Sequence, residues 1–147
     1  MQVKTNAKEL QKEVSELFKE LSRKISSLKP VMQAIGEGLL TNWRLEWEEN
    51  KNPYGKKWAH LSPSTLRARR KGDGVVQILR DTGVMQSSFT VEAGEDYVAI
   101  GTAVPYAKYH QKGTVKMPKR MLVPETRLPK RDWEYIRWQL REYLSRL

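Results

Sequence analysis

The sequence holds only two histidines, His60 and His110. One of them sits in company suited to proton transfer. The stretch Val104-Pro105-Tyr106-Ala107-Lys108-Tyr109-His110-Gln111-Lys112-Gly113 gathers His110, two tyrosines and a glutamine between a proline and a glycine. A histidine beside phenolic groups has the makings of an acid–base site. Such chemistry needs a partner, and the chain supplies none at a suitable spacing. His60 lies fifty residues away, and there is no cysteine to act as nucleophile. No glycine-rich phosphate loop of the P-loop or dinucleotide type is present. Asp73, Asp81 and Asp96 all fall in predicted turns, where aspartate serves local hydrogen bonding. The reading favoured for His110 is therefore structural: a capping histidine, hydrogen-bonded through a ring nitrogen, at a corner of the chain. Glu46, Glu48 and Glu49 form a second cluster. Paired carboxylates can bind a metal, but no histidine or further aspartate stands at ligand spacing. They lie at the wrong end of a helix dipole and suit a basic neighbour better. The expectation is a protein with no catalytic residues, cofactor or metal.

The remaining chemistry is basic. The net charge is +10, and it is unevenly spread. Residues 1–50 carry eight basic and eight acidic side chains, residues 51–90 eight and two, and residues 91–147 eleven and seven. The densest run is Arg67, Arg69, Arg70 and Lys71, preceded by Lys56 and Lys57. These six are candidates for contact with an anionic partner, either nucleic acid or an acidic protein surface. Tyr54, Trp58 and Tyr109 offer stacking surfaces for bases. No reading helix or ribonucleoprotein motif accompanies them, so nonspecific phosphate contact is the most that the pattern supports. A merely solubilising surface accounts for the charge equally well.

The elements that must position these groups follow from periodicity. Leu10, Val14, Leu17, Leu21, Ile25 and Leu28 recur at three- and four-residue steps, which predicts an amphipathic helix. Asn6 and Glu9 cap its start, and Lys29-Pro30 ends it. Pro30 opens a second helix through Val31, Ile35, Leu39, Trp43 and Trp47. Gly36 and Gly38 within it mark close contact or a break. Residues 50–62 read as a loop, with Trp58 and Leu61 pinning it to the core. Ser62-Pro63 starts a short basic helix that runs to about Lys71. Val75–Leu79 is extended, and Asp81-Thr82-Gly83 is a turn. Ser87–Ala93 and Tyr97–Thr102 form a hairpin around Gly94-Glu95-Asp96. Thr114–Pro129, with three prolines, suits an extended basic arm. A last helix from about Asp132 sets Trp133, Ile136, Leu140, Tyr143, Leu144 and Leu147 inward, leaving Trp138 off the face as an interface anchor.

The fold class expected is α+β in one domain, 1–147: two N-terminal helices, a short basic helix, a small antiparallel sheet and a C-terminal helix. Within it, 1–50 is helical, 51–128 is a mixed core with the arm at 114–129, and 130–147 is the closing helix. No run of about 18 apolar residues exists, so no membrane span is expected, and the polar N-terminus lacks a signal core.

An ordered set of short motifs adds a resemblance. The pieces are Pro53-x-Gly55-x-x-Trp58-x-x-Leu61, then Thr65 and Arg69, then Ile78-Leu79-x-x-Thr82-Gly83-x-Met85-x-x-Ser88. Ile100-Gly101, Tyr106-Ala107-x-x-His110-Gln111-x-Gly113 and Pro118-x-Arg120 follow. This order, over roughly 50–125, resembles the phage virion morphogenesis family of Mu-like tail-completion and head–tail joining proteins. One departure is Met121-Leu122-Val123-Pro124, where the family commonly has an aromatic and a glycine. The resemblance implies a non-enzymatic part of the neck or tail end. It would complete the tail or join it to the head, acting in the virion and, during assembly, in the host cytoplasm. It also implies neck, connector or tail proteins as partners, and a homo-oligomer such as a ring. Trp58, Tyr106, His110, Gln111, Arg120 and Trp138 are then the assembly candidates, with the corner at His110 aiming the arm at a neighbouring subunit. The alternative is a nonspecific nucleic-acid-binding module.

Overall fold

The computed structural model describes residues 7–62, 78–79 and 84–147. Helix α1 spans Ala7–Lys24 and buries Leu10, Val14 and Leu21 on one stripe. It stops short of the predicted end. Ser27 Oγ and the Leu28 amide instead donate to the Glu95 carboxylate, at 2.6 and 2.7 Å. Serine hydroxyls compete with helical hydrogen bonding in this way, so Ile25 and Leu28 leave the stripe and are only half-buried. Those donated bonds hold the Glu95 carboxyl below the ordinary carboxylate range.

Helix α2 spans Lys29–Glu48 with Pro30 in its first turn, where a missing N–H costs nothing. The predicted i+4 ladder of Val31, Ile35, Leu39, Trp43 and Trp47 is fully buried. Gly36 and Gly38 do not break the helix; they admit close neighbours. A Cβ on Gly36 would collide with the Val91 and Val98 methyls, and one on Gly38 with the Tyr135 ring. The asparagine ending the helix, Asn50, takes a left-handed φ of 59°, a conformation asparagine tolerates better than most residues.

A one-turn helix α3, Val84–Ser87, runs into the first residue of the stretch expected to be a strand, Ser87–Ala93. Ser87 and Ser88 hydroxyls cap it by donating to the Val84 and Met85 carbonyls. The sheet is thereby confined to β1 (Thr90–Ala93) paired with β2 (Val98–Gly101). Helix α4, Ala107–Lys112, follows, and α5, Lys130–Ser145, closes the chain. The class is α+β, as expected. The short basic helix and most of the 75–79 segment lie outside the described residues. Among the described residues no helix is long and apolar enough to cross a membrane.

The chain gathers into two units. The first is Met1–Leu40, Val91–Ile100 and Thr126–Leu147. In it α1 packs on α5, where Ile136 and Leu140 are buried. Glu13 binds Arg137 at 3.1 Å and also pairs with Arg141. The second is Thr41–Thr90 with Gly101–Glu125. Its core holds Trp43, Trp47, Trp58, Met85, Phe89, Ala107 and Leu122, with Trp47 and Phe89 rings 5.0 Å apart.

Candidate functional site

The His110 corner lies in the second unit and is built from three pieces of chain. The first is the loop after α2. Asn52 Oδ1 accepts from the Tyr54 and Lys56 amides, at 2.9 and 3.1 Å. The Asn52 amide donates to the Lys56 carbonyl at 2.7 Å, and the Trp58 amide to Asn50 at 2.8 Å. An asparagine binding its own backbone two residues on is the mechanism that closes such turns. The loop delivers Trp58 inward, where its indole N–H donates to the Met121 carbonyl at 2.9 Å. Lys56 and Lys57 stay outside, exposed.

The second piece is α4. It sets Tyr106 edge-on to the His110 ring, with centroids 6.4 Å apart and planes at 87°. Tyr106 and Tyr109 are both about half exposed, and Lys108 Nζ lies 5.2 Å over the Tyr109 ring. His110 Nδ1 is buried, and among the described residues it has no hydrogen-bond partner. The expectation that a ring nitrogen would be hydrogen-bonded is therefore not met at Nδ1. Burial, and then the Arg120 charge, push the imidazole below its ordinary value, so the ring is neutral at pH 7. The hydrogen bond His110 does make is through its backbone: its carbonyl accepts from the Arg120 amide at 2.7 Å.

The third piece is the segment predicted to leave as an arm. Its first part turns back instead. Gly113 takes φ 75° and brings its backbone against Lys119, whose amide nitrogen would stand 2.9 Å from a Cβ there. Only glycine meets both conditions without strain. Thr114 and Met117 then bond reciprocally, at 2.8 and 3.2 Å, in a two-residue turn. Beyond it Arg120 is 6% exposed and donates through Nε to the Ala59 carbonyl and through Nη2 to His60, both at 3.0 Å. Leu122 is fully buried and its carbonyl accepts from the Trp47 indole at 2.9 Å.

Gln111 fastens the same segment from the other side. Its Oε1 accepts from the Leu122 and Val123 amides at 2.7 and 3.1 Å. Its Nε2 donates to the Val123 carbonyl at 2.9 Å and to Glu125 at 3.2 Å. One amide side chain thus acts as a short length of sheet edge for a segment that has no strand beside it. Glu125 also pairs with Lys119 at 3.0 Å, which with Gln111 holds its carboxyl below the usual range.

The candidates divide accordingly. Trp58 and Arg120 are buried inside the chain and spent on its carbonyls. Gln111 and His110 are half-buried and face its own segments. Tyr106 is exposed at the corner, and Trp138 is exposed on α5, 6.1 Å from the Tyr135 ring. Arg67, Arg69, Arg70 and Lys71 lie outside the described residues. Trp47, Asn50 and Asn52 carry much of the corner without having been singled out as functional. An Asn-x-Asn-Pro run before Gly was the available signal for the loop. Nothing local pointed to the Trp47 contact. Among the described residues no three acidic or histidine side chains gather as metal ligands would.

The chain has counterparts among known proteins. A stretch of 70 residues, 46% of this chain, is 33% identical to the Mu-like prophage FluMu G protein 1 of Haemophilus influenzae. That stretch spans about half of the relative, 48% of its length. No solved structure matches the chain significantly. The model of the phage virion morphogenesis family matches residues 10–143, from the first buried leucine of α1 to the last turn of α5. With most of the chain inside that match, the chain belongs to the phage virion morphogenesis family.

Proposed function

We propose that this chain is a non-enzymatic structural part of a phage or prophage particle that completes the tail or joins it to the head. The family match over 10–143 carries the reading. The corner supports it, because the groups that looked like chemistry are engaged in holding the chain together. Arg120 and Gln111 have their polar atoms on backbone groups of the same unit, and His110 is neutral and wedged against Tyr106. What the corner produces is a surface tied to its own backbone by these bonds, which suits an assembly part. Partners are then other neck, connector or tail proteins, and further copies of the chain in a ring. Nonspecific DNA contact is a second reading, favoured by the exposed Lys56 and Lys57 beside Tyr54.

Deleting the gene from its phage and imaging the lysate by electron microscopy tests the proposal. Tailless heads beside free tails are expected, and normal particles would refute it. Complementation with His110→Ala should lower the yield of complete particles, with no enzymatic turnover involved.

A further inference from the structure

The turned-back segment has a tip that neither the fold nor the corner uses. Residues 106–120 form a knob: α4, the turn Thr114-Val115-Lys116-Met117, and the return to Arg120. It is fixed at its base by the Arg120 amide on the His110 carbonyl and by the Arg120 guanidinium on Ala59 and His60. At its tip Val115 is wholly exposed. Neither turn residue, Val115 nor Lys116, has a positive φ, so the turn is open to most residue types and does not itself select valine. An aliphatic side chain at this tip adds nothing to the core and is available to a partner. Tyr106 and Tyr109 add exposed ring area on the same knob. Around these apolar groups the charge is mostly basic. From Gly101 to Glu125 the chain holds five basic residues and one acidic, Glu125, whose carboxylate pairs with Lys119. Lys108, Lys112 and Lys116 are exposed.

We infer that the knob is a docking surface for an acidic segment of another virion protein, one that receives Val115 in an apolar recess and sets carboxylates against Lys112 and Lys116. Charge complementarity selects the sign of the partner and speeds encounter, while the buried apolar contact supplies affinity. A phosphate backbone would use the lysines but has no recess for an aliphatic tip, which favours protein over nucleic acid. The inference rests on the assembly reading for the kind of partner.

The test complements the gene-deleted phage with the wild-type chain, Val115→Ser, or Lys112→Gln with Lys116→Gln. Each purified chain is first checked for an unchanged melting temperature. Removing a buried valine contact should cut particle yield about tenfold, and the lysine pair should cost at least as much. Zero-length carbodiimide coupling of wild-type particles, which joins amines to touching carboxylates, should link Lys112 or Lys116 to Asp or Glu of a different protein. Full rescue by Val115→Ser, or coupling only within copies of this chain, would overturn the inference. So would a lysine-only loss matched by weakened binding to random duplex DNA. If deletion itself leaves normal particles, the assembly reading fails instead.

Discussion

The two units are made stable in different ways. The first carries thirteen basic and eleven acidic residues, a net of +2, and is held by apolar stripes at helical spacing. Its special features are places where helices come close: the bare faces at Gly36 and Gly38, and Glu13 between Arg137 and Arg141. The second carries fourteen basic and six acidic residues, a net of +8. Much of it has no regular ladder. Trp47, Trp58, Gln111 and Arg120 bond directly to the backbone of irregular segments instead. A unit built from stripes tolerates loss of one polar contact. A unit built from side chain–backbone bonds depends on each, because a removed side chain leaves buried backbone groups unsatisfied.

Arg120→Ala should break this contrast most severely. It strands the Ala59 and His60 carbonyls and leaves a void, at a cost of about 3 kcal/mol. Hydrogen exchange should rise first at residues 58–60 and 119–123, with α1 and α5 protected as before. Gln111→Leu comes next, at about 2 kcal/mol, because two amides and a carbonyl lose their partner at similar volume. Calorimetry reads the size of both effects. In the first unit Gly36→Ala provides the converse probe. Alanine on an open helix face would stabilise by roughly 1 kcal/mol, but here its methyl meets Val91 and Val98. A net loss of about 1 kcal/mol in denaturant titration is expected. A gain would show that the close approach is absent.

The smallest effect is on pH dependence. His110 is held below its ordinary 6.5 in the folded chain, so on acidification the unfolded chain takes up that proton first. The stability contributed by the neutral ring is complete above 6.5 and is lost as the pH falls through that value toward the folded one. Melting temperatures measured from pH 7.5 to 5 should fall more steeply for the wild type than for His110→Gln. Parallel curves would mean that neither burial nor Arg120 disfavours the charged ring in the folded chain.

The same contrast explains what could be read in advance. The α2 ladder and the Ile136 and Leu140 positions of α5 announce themselves by period, and Gly113 by its place after a short helix, whereas Leu147, expected inward, is exposed beyond the end of α5. The end of α1 was misjudged because Glu95, far along the chain, draws Ser27 and Leu28 out of the helix. The one-turn α3 was missed because its serine caps look the same as strand-edge serines. In the corner, Trp47 meets Leu122 and Trp58 meets Met121 across separations of 75 and 63 residues. Such pairs carry no period. The expected arm at 114–129 shows the consequence: prolines and lysines suggested extension, while the residues that turn it back, Gln111 and Arg120, read as interface.

A structural part of the particle must be present in purified virions, and measuring this chain there tests its proposed role most directly. Quantitative mass spectrometry of gradient-purified particles should find the chain in a constant ratio to the tail proteins across independent preparations. Particles that are complete and infectious yet lack the chain would contradict it.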